Sequence, residues 1–393
     1  MTSPERLATA LFVVFVLLAP PQPAPAAPPI FVGHGTPASC TEMALKDALI
    51  IAETIGGATI RFKCGPEPVT IALSDATTSP GFPVLLVLPN NTTIDGGGLI
   101  TLDGTRTATV AFVDRETTVV LKRLSIINGH GGNEGQSANA IETRGTLTVD
   151  HSTLSANSSR GDGAISNSGT LTVEHSTLSG NEGFLYGGIF NGGLLTVRKS
   201  SFEGNGSDLT GGGISNSGTL IVDDSTFSGN FADDGGGGID NFGGRVTIHK
   251  STFSKNEGFF GGGGILNFGT LTVRKSSFEG NFSHNPGGGI SNSGTLIVDD
   301  STFSENSAFG MGTPFGFGGG IASGGTVTVD KSTFFGNVAD LGGGIFNTGQ
   351  LAVDNSTITQ NTANIAGGGI YNQGTLTLNH TSVTENTPDD IFP

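Results

Sequence analysis

GGGGILNFGTLTVRKSSFEGN, residues 261–281, is one turn of a pattern that runs through most of the chain. Within it Leu271 and Val273 alternate with Thr270 and Thr272, the two-residue period of a strand with one buried face. Units of this kind open on Ile141, Ile165, Ile189, Ile214, Ile239, Ile265, Ile290, Ile321, Ile345 and Ile370. Their spacings are 24, 24, 25, 25, 26, 25, 31, 24 and 25 residues. A Gly stands four residues after each Ile. Each unit closes on an Asn: Asn157, Asn181, Asn205, Asn230, Asn256, Asn281, Asn306, Asn337, Asn361 and Asn386. Such a period marks a solenoid or array. The units lack a helical apolar period, and they are too short for a propeller blade of ~40 residues. The expected fold is all-β: a single-stranded parallel β-helix of ten coils over residues 140–387, right-handed by analogy of fold, with a short tail at 388–393.

Each column of the pattern then has a physical task. Leu147, Leu171, Leu195 and their counterparts form one inward stack, and Phe202, Phe227, Phe253, Phe278, Phe303 and Phe334 form the centre of another. Rungs lie ~4.8 Å apart, so identical side chains pack on their own kind, each contributing ~1.5–3 kcal/mol by burial. The closing Asn column predicts an amide ladder between rungs. The Gly after each Asn-x pair supplies either a left-handed turn residue or room for close backbone approach. Polar pairs between strands, such as Asp150-His151, Arg198-Lys199 and Asp223-Asp224, read as a solvated edge.

The composition supports this frame and excludes others. Of 393 residues 65 are Gly and 26 are Phe, with 2 Tyr and no Trp. The formal charge of -16 argues against nucleic acid or an anionic membrane as partner. Residues 1–26, with the apolar run Leu7–Ala19 and the site Ala24-Pro25-Ala26, read as a secretory signal peptide. The mature chain is then expected to be secreted or at the cell surface, with no integral membrane segment. Residues 27–139 read as a cap and irregular first rungs. Their one helix, 41–53, carries Leu45, Leu49 and Ile50 on an apolar face over the open end of the coil. Cys40 and Cys64 would most simply form a disulfide in an oxidising compartment, two inert thiols being the alternative.

The stretch ALKDALIIAETIGGATIRF, 44–62, resembles the secreted domain whose helix reads Cys-Ser-Leu-Arg-Glu-Ala, and TTIDGGG at 92–98 resembles the start of its β-helix. The ten units resemble polymorphic outer membrane protein repeats, Gly-Gly-[Ala/Ile]-Ile and Phe-x-x-Asn, as in Phe253-x-x-Asn256 and Phe278-x-x-Asn281. The resemblance implies a pectin-lyase-like coil and a family of adhesins, surface proteins and polysaccharide lyase relatives. The barrel that autotransporter members carry does not follow Asn386, so the chain is expected to be released or held by something else.

No catalytic, cofactor or metal residue is assigned from the sequence. Gly129-His130-Gly131 resembles a motif of pectinolytic hydrolases, but the accompanying acidic motif is missing and Arg61-Phe62-Lys63 stands in the wrong order. A lyase would need its acids and an arginine gathered on adjacent rungs. Arg144, Arg160, Asp150, Asp162 and Glu174 are the only cluster near enough in sequence, and they fall in different columns. The aromatic residues after the ladder Asn, namely Phe184, Tyr186, Phe231, Phe259, Phe260, Phe309, Phe315 and Phe317, are the candidate binding surface, together with Met311. The sequence thus favours a non-enzymatic β-helix, an adhesin or a scaffold for a cell-surface glycan or protein. A polysaccharide lyase or hydrolase is the alternative.

Overall fold

The computed structural model describes residues 28–78, 81–130, 140–310 and 316–393. The proposed signal peptide, Gly131, Met311 and Phe315 lie outside them. The chain forms a right-handed parallel β-helix with one N-terminal α-helix. The central coil shows its construction. Ile265–Asn267 belongs to a second sheet, Thr270–Arg274 and Ser277–Glu279 to a large first sheet, and Phe282–Ser283 to a narrow third sheet. Every coil pairs in register with the next. Where the leucine stack is interrupted, Val246 takes the same place between Leu220 and Leu271.

Identity within a column is what the register rewards. Phe202, Phe227, Phe253, Phe278, Phe303 and Phe334 are fully buried, and their rings stack at centroid spacings of 4.7–4.8 Å and 3–7° between planes. The Asn column is a continuous amide ladder. Asn256 donates through Nδ2 to Asn281 Oδ1 and to the Phe227 carbonyl, both at 2.9 Å. Its own Oδ1 accepts from Asn230 Nδ2 at 2.8 Å and from the Asn230 backbone N–H at 3.1 Å.

Two further ladders escaped the sequence reading. Asn167, Asn191, Asn216, Asn241, Asn267 and Asn292 bond amide to amide, and Ser323 replaces Asn in the next coil. A serine column from Ser152 to Ser356 accepts the backbone N–H of the rung before, as Ser276 Oγ does from Ser251 at 3.1 Å. The column of glycines after the second ladder serves close approach. A Cβ on Gly269 would lie 2.1 Å from the Gly244 carbonyl oxygen, and Gly269 is not left-handed. Left-handed φ falls instead on the second residue of the polar corner, from His151 (46°) through Lys250 (47°) to His380 (47°).

The helix spans Glu42–Thr54, with Thr41 Oγ1 accepting the Ala44 N–H at 3.2 Å as N-cap. Leu45, Ala48, Leu49 and Ala52 are its buried side, packed on the first strands, whereas Ile50 is 60 % exposed and leaves the apolar face. Cys40 and Cys64 are disulfide-bonded. Asp95 of the DGGG stretch is buried and bonded by Arg123, a structural ion pair at the base of the coil. Among the described residues no helix is long and apolar enough to cross a membrane.

Candidate functional site

From Ser158–Ser159 to Ser307–Ala308 the third sheet is built from two-residue strands whose inward positions hold only small side chains: Ser159, Gly183, Ser207, Ala232, Gly258, Ser283 and Ala308. The outward positions are free of that constraint and do not repeat. One outward column runs His130, Ser158, Glu182, Gly206, Phe231, Glu257 and Phe282. A second lies two residues on and runs Arg160, Phe184, Asp208, Asp233, Phe259, His284 and Phe309. Its register is fixed by bonds such as Asp208 N–H to the Gly183 carbonyl and Asp233 N–H to the Ser207 carbonyl.

At Gly206 the first column loses its side chain. The nearest atom to a Cβ built there is Glu182 Cγ, at 4.0 Å, so the position is open. A groove of about 1060 Å³ forms around it, bounded by His130, Arg160, Glu182, Phe184, Asp208 and Phe231. His130 is anchored through Nδ1 to the Ser158 carbonyl at 3.0 Å. Asp233 stands one rung above Asp208. Burial, then the charges of Asp208 and Asp234, push its carboxyl above the usual range. The groove therefore combines exposed aromatic faces with carboxylates, one of them backed by a neighbour of raised proton affinity. That is equipment for acid–base chemistry on a polar, ring-shaped ligand.

The sequence-selected aromatics divide. Phe184 and Phe231 line the groove. Phe259 packs against His284 and Phe260, and Phe282 joins the same cluster at 4.5 Å from the His284 ring, with Phe309 at 6.4 Å from Phe282. His284 also bonds Glu257 at 2.9 Å. The upper half of this face is thus filled by its own side chains and the lower half is open. Tyr186 and Phe317 belong to the corner with the second sheet, Tyr186 stacked on Phe190 and Phe317 tilted against Phe346.

The five lyase candidates do not meet. Arg144 pairs with Glu142 at 2.7 Å on the second sheet, Asp150 and Glu174 lie in register on the first, Asp162 is buried at the corner, and Arg160 alone reaches the groove. Glu182 and Asp208 were missed by sequence reasoning. The available signal was the drop to Gly206 between Glu182 and Phe231 once the coils are aligned.

A model described as the Chlamydia polymorphic membrane protein repeat matches residues 224–241. No curated protein sequence matches the chain. Among solved structures, the chain resembles the catalytic unit of a GH87 α-1,3-glucanase from Streptomyces thermodiastaticus: TM-score 0.54 and 15 % identity over 93 % of this chain and 70 % of that one. The A-module of an Azotobacter vinelandii mannuronan C-5 epimerase, AlgE6, covers 90 % and 95 % at 13 % identity and TM-score 0.49. PfbA, a surface adhesin of Streptococcus pneumoniae, covers 87 % of each chain at 11 % and 0.40. What is shared is the coil. At these identities it shows the fold and no more. The expectation of a non-enzymatic chain is therefore corrected. The glucanase, the most similar of the three in structure, is a catalytic unit on the same coil. A bare repeat scaffold is no ground for denying catalysis.

Proposed function

We propose that the chain is a glycoside hydrolase acting on a neutral polysaccharide in the Gly206 groove, presented as a secreted or cell-surface protein. The observation that carries this reading is the convergence of Glu182, Asp208, Phe184 and Phe231 on one groove at the side-chain-free Gly206. Sugar rings stack on exposed aromatic faces, which fixes a glycan along the coil. One rung up and two residues along, the two acidic residues are separated by roughly 8 Å at their backbones. Glu182 takes a proton from the water that adds to the anomeric carbon. Asp208 gives one to the departing glycosidic oxygen, beside Asp233, whose carboxyl is raised by burial and by the charges of Asp208 and Asp234. The net charge of -16 disfavours polyuronates and leaves uncharged glucans and mannans. A β-helix serving as the catalytic unit of an α-1,3-glucanase is in keeping with this chemistry.

The test is reducing-end release from a panel of neutral glucans and mannans. Glu182→Gln and Asp208→Asn are each expected to lower it ~100-fold or more, and Phe231→Ala to raise KM with a smaller effect on kcat. Glycan binding without cleavage by the parent protein, or cleavage untouched by both carboxylate substitutions, would sink the proposal.

A further inference from the structure

The polar corner between the two strands of the first sheet carries one chemically distinct point. In coils one and two its left-handed residue is His151 and then His175, at φ 46° and 48°. The backbone registers of the two coils are locked, with Asp150 opposite Glu174, so the two imidazoles leave adjacent rungs in parallel. Their rings stack at 4.5 Å with 20° between planes. Both Nδ1 atoms approach the same carboxylate oxygen, Asp150 Oδ1, at 2.5 Å from His151 and 3.6 Å from His175. The three donor atoms lie within 4.8 Å of one another.

One oxygen serving two ring nitrogens is a crowded hydrogen-bond arrangement but an ordinary ligand set. In a tetrahedral site with metal–ligand bonds of ~2.0–2.1 Å, donor atoms are about 3.3 Å apart. The two observed separations bracket that edge, so small side-chain rotations suffice. The fixed rungs supply the remainder of the preorganisation. We infer that Asp150, His151 and His175 form a binding site for a divalent d-block cation of the zinc class, with its remaining positions open to water. Two imidazole nitrogens and one carboxylate oxygen select such ions over Ca²⁺ or Mg²⁺, which prefer all-oxygen shells. On binding, each neutral imidazole keeps its proton on Nε2 and presents Nδ1 to the ion. The cationic neighbour below in the same column, Arg123, is turned to Asp95 and held there by two bonds of 2.5 and 2.9 Å. Exposed Lys199 follows above. The site lies on the corner of the first sheet, shares no residue with the third-sheet groove and does not depend on the hydrolase reading.

The test is calorimetric titration of the full chain with zinc chloride in a non-coordinating buffer near pH 7.5. One saturable site of roughly micromolar Kd is expected, with displacement by EDTA. Asn tolerates left-handed φ, so His151→Asn and His175→Asn preserve the corner, and each should weaken binding by about tenfold or more. His249→Asn, on the same sheet, should leave the affinity unchanged. Circular dichroism before titration confirms that each variant retains the coil. A zinc-induced rise in thermal midpoint, present in the parent and lost in both histidine variants, is the second readout. No saturable binding below about 1 mM, or an affinity indifferent to both histidine substitutions, overturns the assignment.

Discussion

The inward and outward surfaces of the same coils obey opposite rules. Inside, one residue type persists for rung after rung: Ile, Leu or Val, Phe, Asn and Ser, each stacked on its own kind. Outside, on the third sheet, successive rungs carry Ser158, Glu182, Gly206, Phe231, Glu257 and Phe282 in one column. Packing at rung spacing penalises any change of volume within an inward column, whereas the solvated column is free to diverge. The difference teaches where to look for chemistry in a repeat protein. Sites arise where a column stops repeating, as at Gly206 in the groove and at the His151–His175 pair on the corner.

The largest effect expected from breaking this contrast is in the Phe stack. Phe253→Ala removes a fully buried ring that touches equivalent rings 4.7 and 4.8 Å away. It should cost ~3–5 kcal/mol in urea unfolding. A loss below ~1 kcal/mol would show that the coil collapses around the gap and that the column is not jigsaw-packed.

Asp240 is a divergent outward residue that the fold has nevertheless buried. It replaces Ser215 and Leu266 of the neighbouring coils, is 2 % exposed, and its Oδ1 has no hydrogen-bond partner. Burial pushes its carboxyl up to about 7. The unfolded chain releases this proton near pH 4, so the folded state holds more protons between about pH 4 and 7. Stability should therefore fall as pH rises through that window and level off above it, by up to about 4 kcal/mol. Asp240→Asn should flatten that part of the pH–stability profile and be the more stable protein at pH 8. An unchanged slope would place the charge elsewhere.

The coil was legible because its signals are covariant with its physics. Ten isoleucines and ten asparagines at one spacing specify register, and the alternation of Leu271 and Val273 with Thr270 and Thr272 specifies which side is in. The serine and second asparagine ladders were equally periodic but hidden, since Ser, Asn and Thr are also ordinary surface residues and burial cannot be read from type alone. Ile50 was misplaced because a single solvent-facing apolar residue on a short helix looks like part of the apolar stripe. The groove was half legible. Phe184 and Phe231 stood out as apolar residues in turns, while Glu182 and Asp208 looked like any exposed acid until the register set them around Gly206.

The smallest effects sharpen the comparison most, because they set an inward polar residue against an outward one in the same coil. The Asn256 side chain makes four ladder bonds and is fully buried. Asn256→Ala strands the Phe227 carbonyl and removes the acceptor of the Asn230 backbone N–H and Nδ2, while Asn281 Oδ1 keeps the backbone N–H of residue 256, and should cost ~1–3 kcal/mol. Lys250 is exposed and left-handed, with φ 47°. Lys250→Gly relieves a left-handed cost of ~1–2 kcal/mol for a residue with a Cβ, and gives back ~0.5–1 kcal/mol in unfolded-chain entropy. The net should be neutral or stabilising by up to about 1.5 kcal/mol, so the two urea midpoints should move in different directions or only the first should move. Equal losses would mean that the corner column is as tightly specified as the ladder. The left-handed residues would then be holding the turn through their side chains, and divergence at His151 and His175 would carry a structural cost that an exposed edge does not impose.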